Sequence, residues 1–152
     1  MILFVALLCW SSCNGVHAAP VNQDRENLKE IAALMRDTIK ITVGGKVFTA
    51  TLEANDAATA FKGMLPLTIH MTELNGNEKF FDLPDNLPAS ASKQLTINSG
   101  DLMLWGSNTL VLFYKTFSTS YSYTSLGKIE DPNDLSDVLG SGNVMVIFEL
   151  QH

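Results

Sequence analysis
The chain has 152 residues, enough for one ordinary domain and too few for two. Hydrophobic residues make up 46% and charged residues 17%, the latter below the roughly 25% usual in soluble domains, so a sizeable core is available. A formal net charge of −6 with no basic run excludes nucleic acid as an expected partner and disfavours anionic membrane surfaces.

Met1 to Leu8 is almost wholly apolar, and small or polar residues follow from Ser11 to Gly15. Two readings stand side by side. Residues 1–18 read as a secretory signal, with Val16 and Ala18 at the −3 and −1 positions of a cleavage site, although no Lys or Arg precedes the apolar run. Alternatively, Trp10-Ser11-Ser12-Cys13 resembles a lipoprotein signal ending at Cys13, with Trp10 where Leu is usual. Either implies export, and the second would allow membrane contact through a lipid anchor. The stretch is too short to favour a spanning helix. Cys9 and Cys13 both lie in it, so the rest of the chain has no disulfide, thiolate nucleophile or thiolate metal ligand.

Residues 19–37 are a polar leader. Within it Leu28, Ile31, Ala32 and Met35 follow helical spacing, which predicts a short helix with one apolar stripe. From Thr38 the period changes to two. Ile39, Ile41 and Val43 alternate with Lys40 and Thr42, and Gly44-Gly45 supplies the positive φ that a two-residue hairpin turn needs. This register sets Ile41 opposite Phe48 and Ile39 opposite Ala50, all on one face.

Asn55 or Asp56 is suited to cap a short helix with Ala57, Ala60, Phe61 and Met64 inward, ended by Pro66. Leu67, Ile69 and Met71 then alternate with Thr68, His70 and Thr72 up to a turn at Asn75-Gly76-Asn77. A three-residue loop pairs Glu73 with Lys79 and is preferred to a two-residue loop, which would oppose Glu73 and Glu78. The same register sets His70 opposite Asp82. Residues 84–93, with Pro84 and Pro88, read as a surface loop.

Asp101–Trp105 and Thr109–Phe113 flank Gly106-Ser107-Asn108 and are apolar on both faces, as central strands are. Phe117 to Thr124 reads as one strand, with Tyr121 and Tyr123 on one face and Ser120, Ser122 and Thr124 on the other. After a turn at Asp131-Pro132, Asn133 or Asp134 caps a second short helix with Leu135, Val138 and Leu139 inward, ended by Gly140. Val144, Val146, Phe148 and Leu150 mark the last strand. The expected fold over residues 38–152 is mainly β, a small closed barrel of about eight strands with two short helices, because closure hides the sheet edges.

Four stretches, IKITVGGKVFTATLE, AFKGMLPLTI, ELNGNEKF and GDLMLWGSNTLVLFYKTFSTSYSYTSLGKIEDP, resemble the bacterial cyclophilin-like domain family of uncharacterised function. The resemblance implies a compact barrel related in shape to cyclophilins and no established activity. Cyclophilins that isomerise prolyl bonds use an Arg beside a hydrophobic proline pocket, with a nearby Gln and aromatic residues. Here the arginines are Arg25 and Arg36, both before the barrel. Lys lacks the planar fork of Arg, and loss of one such donor typically costs about 10²–10³ in rate.

Other chemistry has less support. His70 and His152 are the histidines after the leader, too few for a zinc site without cysteine, and no G-x-S-x-G elbow marks a serine nucleophile. Glu130, Asp131, Asp134 and Asp137 lack calcium-loop spacing and read as turn and cap residues. No catalytic residue, metal or cofactor is expected.

The candidate ligand-binding residues are Phe117, Ser118, Ser120, Tyr121 and Tyr123, with Trp105 and Tyr114 either lining the same cavity or filling the core. Tyrosine with small hydroxyl residues suits recognition of a peptide or small molecule, although both are also ordinary strand residues. The leading expectation is an exported, non-catalytic binding or accessory domain. The rival is a prolyl isomerase of low or atypical activity, for which Lys115 or Asn108 would be the donor. Oligomeric state is left open.

Overall fold
A computed structural model of the protein describes residues 24–28 and 37–151. Residues 24–28 are helical, with Leu28 exposed. The expected signal segment, with Cys9 and Cys13, and the stripe residues Ile31, Ala32 and Met35 lie outside the described residues. So does His152. No helix among the described residues is long and apolar enough to cross a membrane.

The rest of the chain begins with β1 (Thr38–Val43) and β2 (Lys46–Leu52), which pair as the sequence implies, Ile41 with Phe48 and Ile39 with Ala50. Gly44 and Gly45 take φ of +56° and +81° at the turn, and all four paired side chains are buried. Helix α1 (Asp56–Lys62) starts where Asn55 Oδ1 accepts from the Ala58 amide at 2.8 Å. The Asn55 Nδ2 donates to the Ser125 carbonyl at 2.8 Å and ties the cap to the barrel wall. The helix stops at Gly63, before Pro66, and tighter i→i+3 bonds carry Met64 and Leu65 up to the proline. Phe61 meets Phe148 edge-on at 5.7 Å inside the barrel.

Next come β3 (Leu67–Leu74), β4 (Glu78–Asp82), β5 (Ser92–Lys93), β6 (Thr96–Ile97), β7 (Asp101–Trp105), β8 (Thr109–Phe113), β9 (Phe117–Ser118) and β10 (Ser122–Ile129). Helix α2 (Leu135–Leu139) and β11 (Val144–Leu150) follow. Eight strands form an antiparallel barrel in the order β2, β1, β11, β3, β4, β8, β7, β10, closed by pairing of β10 with β2. β5 adds to the start of β10, and β6 pairs with β9 apart from the barrel.

The seam depends on a glycine. At Gly127 the chain is opposite Leu52 of β2 and Leu102 of β7, next to an irregularity in the β10 register. A Cβ there would lie 2.5 Å from the Thr51 carbonyl oxygen, closer than any side chain tolerates.

β7 and β8 are apolar on both faces because each face meets a separate cluster. Leu102, Leu104, Leu110 and Leu112 point into the barrel, where they join Ile39, Ile41, Phe61 and Phe148. On the outer face Met103, Val111 and Phe113 pack with Ile97 and Tyr123, flanked by Phe80 and Phe117. Each large side chain so buried contributes about 1.5–3 kcal/mol.

The outer cluster also corrects the expected strand at Phe117–Thr124. The chain leaves β9 after Ser118, turns, and enters β10 at Ser122. Phe117 and Tyr123 both contact Phe113, at centroid distances of 5.7 and 5.5 Å. Bringing both rings to one neighbour requires the segment between them to loop. The Tyr121 amide donates to Thr119 Oγ1 at 3.2 Å in that turn. The expected surface loop at 84–93 includes β5 and the buried Leu87, whose amide donates to the Ser107 carbonyl at 2.7 Å. At α2 Asp134 occupies the cap position without a capping hydrogen bond, because its carboxylate pairs with Lys46.

Candidate ligand-binding cavity
On β4 the side chains alternate between the two faces of the barrel wall. Lys79 and Phe81 lie on the inner side. Glu78, Phe80 and Asp82 lie on the outer side, beside Thr109 and Val111 of β8. Above this outer face the 117–121 excursion and Tyr123 form a second wall. The Leu74–Asn77 turn closes one end, and Trp105 with Asn108 closes the other. The cavity between them is open to solvent and about 720 Å³ in volume, within the range of small-molecule sites.

Its walls are aromatic and its polar groups acidic or neutral. Trp105 and Tyr121 are 53% and 65% exposed, whereas Tyr123 is 6% exposed. No Lys, Arg or His is among the lining residues. Asp82 accepts a hydrogen bond from Thr109 Oγ1 at 2.7 Å. Glu78 is only 9% exposed and accepts no side-chain or amide hydrogen bond among the described residues. Burial therefore pushes its carboxyl above the ordinary value, and the charge of Glu73 adds to this. Tyr123 is raised as well, by burial first, then by the charge of Glu78 and by Tyr121. Among the described residues Asn77 Oδ1 is the side-chain polar atom buried without a partner.

The inner side of the same strand is the opposite case. Lys79 is 0% exposed, yet its ammonium donates to the Glu73 carboxylate and to the carbonyls of Gly140 and Gly142, the latter two at 2.9 and 2.6 Å. It also lies 5.2 Å from the Tyr114 ring centroid, a cation–π distance. Tyr114 Oη donates to Glu73 at 2.8 Å, and the Gly76 amide donates at 2.7 Å. Burial alone would raise Glu73. The hydrogen bonds from Lys79, Tyr114 and Gly76, with the Lys79 charge, outweigh it and hold the carboxyl below its usual value. Tyr114 is pushed up to about 12, by burial and then by its bond to Glu73 and the nearby carboxylate charges.

Of the residues singled out in the sequence, Phe117, Ser118, Ser120, Tyr121, Tyr123 and Trp105 come together on the cavity. Tyr114 does not. It is buried in the barrel cluster with its hydroxyl committed to Glu73. Asn108 lines the cavity but donates its amide to the Leu83 carbonyl at 3.2 Å. Lys115 lies outside the lining, 5.8 Å from the Tyr114 ring.

The β3–β4 ladder includes Glu73–Lys79 as expected but ends at Thr72–Phe80. His70 is exposed opposite Met145 of β11, and Asp82 is opposite Thr109. In the acidic group, Glu130 accepts from Thr51, Asp131 from the Asn133 amide and Asp134 from Lys46. Among the described residues no three His, Cys, Asp or Glu side chains are grouped to hold a metal.

Glu78 and Phe80 are among the lining residues that sequence reasoning missed. Alternation on β4 puts both on one face, and β8 beside it is apolar on both faces.

A closed eight-stranded barrel with a cavity on its outer wall defines a class of fold rather than a reaction. The sequence profile of the Cyclophilin-like family matches residues 41–149, and the chain belongs to that family. Among solved structures the chain is similar to the solution structure of the hypothetical protein AF2241 from Archaeoglobus fulgidus. The sequences are 18% identical, and the match covers 76% of this chain and 95% of that one, with a TM-score of 0.50. At that identity the likeness concerns the fold alone. No curated protein matches the sequence significantly.

Proposed function
We propose that this chain is an exported, non-catalytic binding or accessory module whose site is the outer-wall cavity. One observation carries the reading. A cavity of about 720 Å³ combines aromatic lining residues with Glu78, a largely buried side chain whose carboxylate has no hydrogen-bond partner among the described residues. A carboxylate that opens on a cavity and is not engaged by the protein is available to an occupant. The ligand is a small molecule or an extended peptide. Export rests on the apolar opening of the chain and the small residues before Ala19.

The rival, prolyl isomerase activity, has the barrel shape in its favour. It lacks a cationic donor in the cavity, since no Arg follows Arg36 and no Lys lines the site, and the Asn108 amide is already engaged.

The test is an NMR titration of the labelled full chain with aromatic fragments and proline-containing dipeptides, alongside a protease-coupled isomerase assay with an authentic cyclophilin as control. Shifts confined to residues 117–121 and the outer face of β4 and β8, weakened at least tenfold by Tyr121→Ala, are the expected result. Tyr121 is exposed, so its truncation tests binding without unfolding. Tyr123 is better changed to Phe, because Tyr123→Ala would open a hole beside Phe113. Unchanged affinity in folded Tyr121→Ala would remove the site from this cavity. Robust turnover in a highly purified sample would overturn the non-catalytic reading.

A further inference from the structure
The geometry points to an organic cation as the ligand of this cavity, with its ammonium group against Glu78 and its apolar body between the aromatic walls. This inference rests on the cavity being the binding site and names the chemistry of what enters it. Glu78 is nine-tenths buried and lines the cavity. Its strand neighbour Lys79, the nearest cation in sequence, is on the other side of the barrel wall and bound to Glu73, Gly140 and Gly142. The cavity lining itself supplies no positive charge.

A carboxylate in that setting is costly when ionised and unpaired. A cationic group is the occupant that turns this cost into a charge-assisted hydrogen bond. The walls fit the same class of ligand. Trp105, Tyr121 and Tyr123 line it, and aromatic rings attract a cation as well as an apolar body. An anionic ligand would meet Glu78 and Asp82 with no compensating charge, and a neutral apolar ligand would bury Glu78 unpaired.

Ionisation of Glu78 is opposed by burial and by Glu73 on β3. The other titratable groups on the cavity are Asp82 of β4 and the two tyrosines, Tyr121 and Tyr123. Protonation of Glu78 would remove the charge that an ammonium ligand meets, so affinity for it should fall as pH is lowered through the raised carboxyl value.

The probes are 2-phenylethylamine and 2-phenylethanol, which share a skeleton and differ in charge, with 3-phenylpropionate as the anion. Each is titrated into the full chain and into Glu78→Gln while amide shifts are followed. The amine should bind about 10–100-fold tighter than the alcohol, as one charge-assisted contact permits. Glu78→Gln, its amide spectrum still dispersed, should abolish that preference. Equal binding of amine and alcohol would overturn the cationic ligand and leave the cavity as a binding site. A preference that survives Glu78→Gln would overturn the assignment to Glu78. No shift of any cavity residue with any of the three probes would overturn both the inference and the binding reading beneath it.

Discussion
Glu78 and Lys79 are consecutive residues of β4, both at least nine-tenths buried, and their surroundings differ completely. Lys79 faces inward and has a carboxylate, two carbonyls and an aromatic ring around its ammonium. Glu78 faces outward into a cavity and has no such partner. Strand alternation separates charges that would otherwise neutralise each other across one peptide. The barrel uses the paired charge to fasten the Gly140–Gly142 turn to β4. The unpaired one stays available to whatever enters the cavity. Burial alone therefore does not distinguish a structural charge from a functional one; the count of partners does.

The largest effect should come from breaking the satisfied side. Lys79→Met keeps most of the stem but leaves the Gly140 and Gly142 carbonyls without their donor and Glu73 without its cation. Removing one member of a buried ion pair costs about 3–5 kcal/mol, and the value here should sit near 3 because Glu73 is partly exposed. Urea unfolding should show a lower midpoint with an unchanged slope. A loss under about 1 kcal/mol would show that the pair behaves like a surface salt bridge and would remove the contrast with Glu78.

Tyr114→Phe tests the same cluster more gently. It deletes one O–H donor to Glu73, at 2.8 Å, and should cost about 1 kcal/mol. The Tyr114 hydroxyl has its pKa raised to about 12. Its contribution is therefore fully present below the unfolded tyrosine value of about 10 and is lost only as pH rises through the folded value. The difference between wild type and Tyr114→Phe should be flat from pH 7 to 9. Glu73 behaves in the reverse sense. Its lowered carboxyl gives stability that is present above the unfolded value and lost as pH falls through the folded one. Wild type should accordingly lose stability in acid more steeply than Lys79→Met does.

How much of this was legible in the sequence follows from the range of the interactions involved. The β1–β2 register was readable because Gly44-Gly45 and the alternation of Ile39, Ile41, Phe48 and Ala50 agree within twelve residues. The Glu73–Lys79 pairing was readable from like-charge avoidance across a short loop. The break between β9 and β10 was not, since it follows from Phe117 and Tyr123 sharing Phe113 in space. For the same reason Tyr114 could not be assigned to core or cavity beforehand. Its position depends on Glu73, 41 residues away in sequence. The aromatic and hydroxyl part of the site was legible from local composition. Its carboxylate was not, because Glu78 becomes buried only when the 117–121 segment folds back over β4 and β8.

The smallest of these effects has the opposite sign and probes the unsatisfied side. Glu78 has a raised carboxyl value, so the stability linked to it is fully present below the unfolded glutamate value of about 4.3 and is lost as pH rises through the folded value. Glu78→Gln has no charge to form and escapes that loss. The variant should match wild type in acid and become the more stable protein as pH rises toward neutrality, by less than Tyr114→Phe loses, because the cavity admits water to the side chain. Thermal unfolding of both proteins across pH 4–8 decides the matter. If Glu78→Gln is instead destabilised at neutral pH, Glu78 already has a favourable partner, and adjacent residues 78 and 79 are then two structural charges rather than one structural and one functional. If the variant gains stability as described, adding a saturating amine should reverse the order, since only wild type can convert the cost of its buried carboxylate into binding.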